Sequence, residues 1–285
     1  MSKGILYMLV AMLLFSVMQI WVKQLDNIPF FELIFFRSII SLVLSAGTIN
    51  ARRLSFFGNR KDLLIGRAVF GMLSLSCFFY ALQNMPLGSL ITIVNIKPFL
   101  VLLWASLFLS ERVRWFQWLL FAISFGGIIW LKGIDGRIET LPLLATIGAA
   151  LFASIAHTFV RKLKDSDSPI VILFYFTLIT TPIFAPLTYL YWATPVGVEW
   201  LYCLGIGLLT HFAQLLLTKA YQVGQIAVVS NMYYLGIVFA FGFGFFFFEE
   251  VYSINQLCAV GLIIFCLLSN IWLSRKKVGI SKKSN

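Results

Sequence analysis

Two basic residues, Arg37 and Lys97, lie far from the ends of long apolar segments, where an ionised side chain is costly. Arg37 is about a third of the way into the segment 30–49, and Lys97 is near the middle of 88–109. A charge at the centre of a bilayer costs about 2.5–3.5 kcal/mol, so such a residue faces a wet cavity or a partner. We expect both to bind an anionic or zwitterionic ligand. The alternative for each is an ion pair, with Glu32 the nearest acid.

Polar residues also follow one face of the segment 199–221. They recur at helical spacing within an arc of about 120°, which favours a stripe that lines an aqueous path. His211 titrates near neutral pH in water, which allows coupling to a proton. The alternative is a packing stripe of hydrogen bonds between helices. The members are Gly207, His211, Gln214, Thr218 and Gln222.

Four other residues complete the expected substrate site. Tyr80 and Trp104 supply aromatic walls for stacking, and Asn231 and Tyr234 lie in the first turns of the segment 226–248. At 100° per residue, Asn95 is about 160° from Lys97 around a helix, so we expect these two to face apart. The full expected set is Arg37, Lys97, Tyr80, Trp104, His211, Gln214, Thr218, Asn231 and Tyr234.

Other polar residues are expected to serve the membrane edges rather than a site. His157 is close to the inner surface, Glu111 and Glu250 cap or anchor the links that follow them, and Asp165 and Asp167 belong to a solvated turn.

Enzyme chemistry has little support in the sequence. The chain has no GxSxG, HExxH or Walker loop, and it has no paired carboxylates inside the apolar segments. The four cysteines lie in apolar segments without a CxxC pair. We therefore predict no catalytic residue, no metal and no cofactor.

The composition defines the class of protein. Hydrophobic residues make up 60% of the 285 residues and charged residues only 12%, which is typical of a polytopic membrane protein. The net charge of +11 resides in links and in the tail, as on a cytoplasmic membrane face, so no nucleic-acid partner is expected. The partners expected are the lipid bilayer and a small-molecule substrate, with the chain a monomer or homodimer.

Ten apolar segments are each long enough to cross a bilayer as a helix, since about 20 residues suffice. They predict an all-α integral membrane protein. The segments are 4–22, 30–49, 63–82, 88–109, 115–132, 142–160, 169–191, 199–221, 226–248 and 254–273.

The basic residues predict the orientation. With a cytoplasmic N-terminus, fifteen Lys and Arg residues fall inside and three outside, the three being Lys23, Lys132 and Arg137. Positive charge is retained on the cytoplasmic side, so both termini are predicted to be cytoplasmic.

The chain also repeats itself. One ungapped shift of 139 residues places Glu111 on Glu250 and Gln117 on Gln256, and it aligns other pairs along the chain. Five helices per half is an odd number, so the second half enters the membrane upside down. We expect two inverted five-helix repeats, 1–139 and 140–285, in one bundle.

These features resemble the EamA-type members of the drug/metabolite transporter superfamily over essentially the whole chain. The marks that carry the resemblance include Phe35-Phe36-Arg37, Phe79-Tyr80-Ala81-Leu82, the mid-helix Pro98, Leu109-Ser110-Glu111-Arg112-Val113 and Lys219-Ala220-Tyr221-Gln222. Lys97 and the lack of a second-half proline matching Pro98 depart from the pattern. The resemblance implies a ten-helix carrier with an inverted repeat and a central cavity.

The sequence thus predicts a secondary or exchange transporter of a small polar metabolite, such as an amino-acid- or nucleoside-like compound, in the cytoplasmic membrane of a bacterium. One acid, Glu32, against two intramembrane bases favours an anionic or zwitterionic cargo. The alternatives are a broad-specificity drug or metabolite exporter and, with less support, a lipid-modifying membrane enzyme.

Overall fold

The computed structural model describes residues 3–97, 100, 104, 115–223 and 233–281, and within them all regular structure is α-helical. The helices, numbered in chain order, are α1 (Lys3–Gln24), α2 (Phe30–Ala51), α3 (Lys61–Asn84), α4 (Leu87–Val94), α5 (Trp115–Ile134), α6 (Thr140–Lys162), α7 (Pro169–Leu190), α8 (Glu199–Val223), α9 (Tyr233–Phe248) and α10 (Ile254–Ser281).

Six of these helices, α1, α2, α3, α6, α7 and α8, are long and apolar enough to cross a bilayer. Shorter apolar stretches run through α5, α9 and α10. Each described helix falls on one of the ten predicted apolar segments, so the prediction of an all-α membrane protein is confirmed. For α4, the described helix covers only the start of the segment 88–109, and Pro98 lies outside the described residues.

The helices pack mainly across the chain rather than with their sequence neighbours. The most extensive packing is of α3 on α6, α1 on α8, α2 on α7 and α8, and α5 on α10. Helix α3 also packs on α7, and α4 lies against α9 and α6. First-half helices therefore meet second-half helices throughout the bundle.

Two glycines allow this packing to be close. A Cβ on Gly66 of α3 would lie 3.0 Å from the ring of Phe159 in α6, and a Cβ on Gly205 of α8 would overlap the ring of Trp21 in α1. Small residues let helices approach where lipid supplies no hydrophobic drive to associate. The pairs α3–α6 and α8–α1 use the same device.

The links hold the bundle at each end. Asn59 donates its backbone N–H to Asp167 Oδ1 at 2.7 Å, and Gln222 Nε2 donates to the Asp167 carbonyl at 3.1 Å. Asp167 is 7% exposed, so the prediction that it lies in a solvated turn is wrong. It connects the α2–α3 link and the end of α8 to the α6–α7 link, which a sequence cannot reveal because the partners are distant in the chain.

Glu32 has a similar task and does not pair with either expected cation. The backbone N–H of Ala193, in the α7–α8 link, donates to Glu32 Oε2 at 3.0 Å. No ion pair joins Glu32 to Arg37 or Lys97 among the described residues. The first turn of α2 is thereby tied to the second half.

Candidate functional site

A cavity of about 150 Å³ lies inside the bundle, between the two halves. Its wall comes from α1, α2, α3, the α4 region, α6, α7, α8 and α9. No acidic residue belongs to the described wall. The polar lining residues are Ser16, Gln19, Arg37, Arg67, Ser74, Asn95, Lys97, His157 and Gln214.

Arg37 is the most deeply buried charged residue of this wall, with 1% of its surface exposed. Its guanidinium carbon lies 5.7 Å from the ring centroid of Phe79 and 5.7 Å from that of Phe176, within cation–π range. Its Nε and Nη2 have no hydrogen-bond partner among the described residues. Two directed donors are therefore available at a site shielded from lipid.

Arg67 joins Arg37 at the ring of Phe176, with its guanidinium carbon 4.8 Å from the ring centroid. Sequence reasoning did not single out Arg67, which lies only six residues after the basic start of α3. A usable signal was present: Arg67, Gly71, Ser74 and Phe78 follow one helical face at i, i+4, i+7 and i+11, and all line the cavity. The site thus contains a second arginine.

Lys97 lines the cavity together with Asn95, so the prediction that these two face apart is wrong. The helical angle does not apply, because α4 ends at Val94 and the chain turns at Asn95. Asn95 Nδ2 donates to the carbonyl of Ile91 at 2.7 Å, whereas its Oδ1 has no partner among the described residues. Asn95 is 2% exposed, so this oxygen is a buried acceptor.

The polar stripe of α8 divides between packing and cavity. Gln214 lines the cavity, and its Oε1 has no hydrogen-bond partner among the described residues. His211 Nδ1 is 3.0 Å from Ser41 Oγ of α2, and Thr218 Oγ1 donates to the Gln214 carbonyl at 2.8 Å. His211, Thr218, Gly207 and Gln222 are not among the lining residues.

The expected aromatic walls lie elsewhere in this conformation. Tyr80 packs edge-on to Phe30 with ring centroids 5.7 Å apart, and Trp104 Nε1 donates to Ser154 Oγ at 2.9 Å. The aromatic lining comes instead from Phe15, Phe78, Phe79 and Phe176. Asn231 lies outside the described residues, as does the side chain of Tyr234.

His157 was expected at the inner membrane edge, but it lines the cavity. Its ring stacks on that of Tyr221 in α8 with centroids 5.0 Å apart and a 23° angle between planes. Proximity to Arg161 in sequence was misleading, because Arg161 is exposed at the end of α6, whereas His157, one turn earlier on the same face, lines the cavity.

A second polar cluster, the rim network, joins the ends of α1, α4, α5 and α9. Lys23 forms an ion pair with Glu250 and donates to the Met85 carbonyl at 3.2 Å. Glu250 also accepts from the N–H of Leu87 at 2.9 Å and from Tyr252 Oη at 2.5 Å. Glu250 therefore caps the first turn of α4, which confirms its predicted anchoring role; Glu111 lies outside the described residues.

Electrostatics keep the Glu250 carboxyl of this network ionised. Burial alone would raise the pKa of the Glu250 carboxyl, but the hydrogen bonds from Lys23, Tyr252 and Leu87 hold it below its ordinary value of 4.5. Burial and the bond to Glu250 raise the pKa of the Tyr252 phenol above 10.0, so it remains a donor. Beside it, Arg137 Nε donates to Asp135 Oδ1 at 2.8 Å.

The sequence places this architecture among known proteins. The model of the EamA-like transporter family matches residues 2–132 and again 140–272. The chain belongs to the EamA-like transporter family. The resemblance carried by the sequence motifs is thereby confirmed.

Named relatives agree with this membership. The chain is 30% identical over 281 residues to the "Pseudopaline exporter CntI" of Pseudomonas aeruginosa, a match covering 98% of each chain. It is 23% identical to the "S-adenosylmethionine uptake transporter" of Rickettsia prowazekii over 99% of this chain and 97% of that one. A solved crystal structure shares the fold, with a TM-score of 0.70 at 20% identity over 96% of this chain and 98% of that chain.

EamA-like membership also settles the question of enzyme activity. The family is one of transporters, and the two named relatives are an exporter and an uptake transporter. The prediction that the chain is not an enzyme is confirmed, and the lipid-modifying enzyme is set aside.

Proposed function

We propose that this chain is a secondary or exchange carrier for a small polar metabolite that bears an anionic group, alone or as part of a zwitterion. The proposal rests mainly on the environment of Arg37. This residue is 1% exposed, and two of its donor nitrogens are without a partner among the described residues. A buried guanidinium without a carboxylate partner is costly, and a bound carboxylate or phosphate relieves that cost through charge-assisted hydrogen bonds. The bound cargo then serves as the counter-ion of the Arg37 guanidinium.

The charges of the other residues in the cavity wall also favour an anionic ligand. Arg67 and Lys97 line it, and the described wall contains no acid. Low dielectric and aromatic surfaces strengthen the field of these cations on a ligand that enters. A permanent cation would be repelled from the same space.

Internal symmetry supports a transporter that is built from two inverted repeats, 1–139 and 140–285. Five pairs of lining residues are related by the 139-residue shift: Met18 and His157, Arg37 and Phe176, Leu75 and Gln214, Phe78 and Leu217, Lys97 and Gly236. The cavity thus lies where equivalent positions of the two halves meet, as in carriers that alternate access by exchanging repeat conformations.

Hydrogen bonds at the helix ends are related by the same shift of 139 residues. Gln83 Nε2 donates to the Ile28 carbonyl at 2.8 Å, and its equivalent Gln222 donates to the Asp167 carbonyl at 3.1 Å. Asp167 is itself the equivalent of Ile28 under the shift of 139 residues. Equivalent side chains therefore bind equivalent carbonyls in each half.

We place the chain in the cytoplasmic membrane of a bacterium, with both termini cytoplasmic as the basic residues indicate. The rim network then lies at the outer face. It joins α1 and α4 of the first half to the α9–α10 link of the second, and we propose that it closes that face in this conformation.

A broad-specificity exporter is the second candidate, favoured by the aromatic lining from Phe15, Phe78, Phe79 and Phe176. Such walls suit flat apolar cargo. The two candidates differ in their dependence on Arg37, because apolar or cationic cargo gains nothing from a guanidinium.

The test is competition for ligand binding and for uptake into proteoliposomes. Organic anions, zwitterions and permanent organic cations are compared on wild type, Arg37→Gln and Arg37→Lys. We expect anions to compete, Arg37→Gln to lose that competition, and Arg37→Lys to retain part of it because lysine lacks the planar fork. Selectivity for permanent cations that is unchanged in Arg37→Gln contradicts the proposal.

A further inference from the structure

Two buried acceptor oxygens in the cavity have no donor. Asn95 Oδ1 and Gln214 Oε1, here called the acceptor pair, are without a hydrogen-bond partner among the described residues, and both residues line the cavity with Arg37. The orientation of the Asn95 amide is fixed, since its Nδ2 already donates to the Ile91 carbonyl at 2.7 Å. Rotating that amide would bring two oxygens together.

An unsatisfied buried acceptor costs about 1–3 kcal/mol, and buried polar groups are normally paired. Arg37 does not serve the acceptor pair in this structure, because its Nε and Nη2 are also without a partner among the described residues. An anion bound to Arg37 would occupy those N–H donors. A carboxylate or phosphate has no proton to give either. The anion that suits Arg37 therefore leaves the acceptor pair unsatisfied unless the same molecule carries an N–H or O–H.

The two acceptors also come from different halves. Asn95 follows α4 in the first half, and Gln214 lies in α8 of the second half. A donor group held between them contacts both halves, whereas an anion on Arg37 contacts the first. Binding of the whole molecule then has one preferred orientation.

We propose that Asn95 and Gln214 are specificity-determining residues that select carboxylic acids carrying a hydrogen-bond donor, such as 2-amino and 2-hydroxy acids, over acids that lack one. This inference rests on the proposed function, since it assumes that the cavity is the substrate site. A site built around unpaired polar groups rejects the analogue that cannot pair them.

The experiment uses sets of acids that differ only in the donor. Aspartate, malate and succinate carry an ammonium, a hydroxyl or neither, as do alanine, lactate and propionate, and phenylalanine, 3-phenyllactate and 3-phenylpropionate. Affinity is measured on the purified full-length protein from ligand-dependent thermal stabilisation, which reports binding to the folded state. We expect the donor-bearing acids of at least one set to bind about 10- to 100-fold more tightly than the donor-free acid.

Variants assign the selectivity to residues. In Gln214→Met and Asn95→Leu, the ratio of affinities within a set should fall towards one, while the donor-free acid keeps its affinity. Ser74→Ala is the matched control: Ser74 lines the cavity, but its hydroxyl already donates to the Ala149 carbonyl at 2.8 Å, so the ratio should not change. A ratio needs no comparison of expression levels or of absolute stability.

The inference is overturned if the donor-free acid of every set binds wild type as tightly as the donor-bearing acids of that set. It is also overturned if the ratio of affinities within a set is unchanged in both Gln214→Met and Asn95→Leu. Absence of binding by every acid tested overturns it as well. The proposed function fails by a different result, namely anion competition that does not depend on Arg37.

Discussion

The side chain of Arg37 is held in place although two of its N–H donors have no hydrogen-bond partner among the described residues. Two aromatic rings cover its guanidinium at 5.7 Å each, and they offer attraction for the charge without using its N–H donors. A carboxylate in their place would hold the arginine more tightly but would occupy the donors. The rings keep the residue in position and leave it competent to bind an anion.

Phe176 positions both arginines, so its loss should weaken anion binding. We expect Phe176→Leu to reduce affinity for an anionic ligand by roughly tenfold, as the loss of about 1–2 kcal/mol of cation–π attraction implies. Binding is measured by ligand-dependent thermal stabilisation. Phe174→Leu is the control, since Phe174 packs on Phe56, 5.4 Å between centroids, and does not line the cavity. Equal losses in both variants would contradict a positioning role.

His211 should matter for stability more directly than for binding. Its ring nitrogen pairs with Ser41 Oγ in a buried site. We expect His211→Phe to reduce the free energy of unfolding by about 1–3 kcal/mol, because the Ser41 hydroxyl loses its partner. Ser41→Ala should cost a similar amount, and the double variant should cost less than the sum. Thermal unfolding of the purified variants is the measurement, and strictly additive losses would refute the coupling.

At the scale of elements, the helices are joined at their ends by side chains that bind backbone groups. Glu250 caps α4, Glu32 accepts from Ala193, and Gln83 and Gln222 bind carbonyls of their own halves. Helix ends carry unpaired N–H and C=O groups, so a polar side chain from another element satisfies them and fixes where the helix begins. The cavity between these helices inherits its shape from those end contacts.

The rim network should respond to acid. The folded-state pKa of Glu250 is lowered, so its contribution to stability is present above the ordinary carboxyl value of 4.5 and is lost as pH falls through the lower folded value. We expect the gap in melting temperature between wild type and Glu250→Gln to be wide at pH 7 and to close below about pH 4. A gap that is constant with pH would show that ionisation of Glu250 does not stabilise the fold.

Lys23 should be more costly to remove alone than together with Glu250. Breaking a buried ion pair from one side leaves an uncompensated charge and typically costs about 3–5 kcal/mol. We expect Lys23→Met to destabilise the protein more than the double variant Lys23→Met with Glu250→Gln. Uptake assays on the same variants test closure of the rim: a transport rate equal to wild type in Lys23→Met would contradict a role of this pair in the transport cycle.

At the scale of the whole molecule, almost all extensive packing joins one half to the other. Helices α3 and α6, α1 and α8, and α2 and α7 are paired across the halves. Exchange of the halves turns the pair α3–α6 into α8–α1 and leaves α2–α7 unchanged, as expected for two repeats about one axis. Movement of one half against the other would change the cavity and the rim network together.

The orientation in the membrane can be tested by labelling. In a cysteine-free background, we expect a membrane-impermeant thiol reagent to label Gly136→Cys on intact cells and to label Ser55→Cys only after permeabilisation. Both positions are exposed in the fold, so access depends on the side of the membrane. The reverse pattern would overturn the cytoplasmic assignment of the termini.

The sequence by itself determined the class, the helices and the family, because these depend on local properties. Apolar length predicts a spanning helix, and the 139-residue shift is visible without coordinates. The sequence also identified Arg37, Lys97 and Gln214 as candidates, since a polar residue in an apolar segment is recognisable whatever the direction of its side chain.

Only the tertiary structure decided which polar residues share a space. Arg67 and His157 belong to the cavity although they lie near basic helix ends, and His211 and Asp167 bind partners remote in sequence. Asn95 and Lys97 share a wall because α4 ends at Val94, before both of them, and the chain then turns, which a fixed angle per residue cannot anticipate. Helix periodicity gives the direction of a side chain around its own axis. The neighbour that it meets depends on how the helices of the two halves pack.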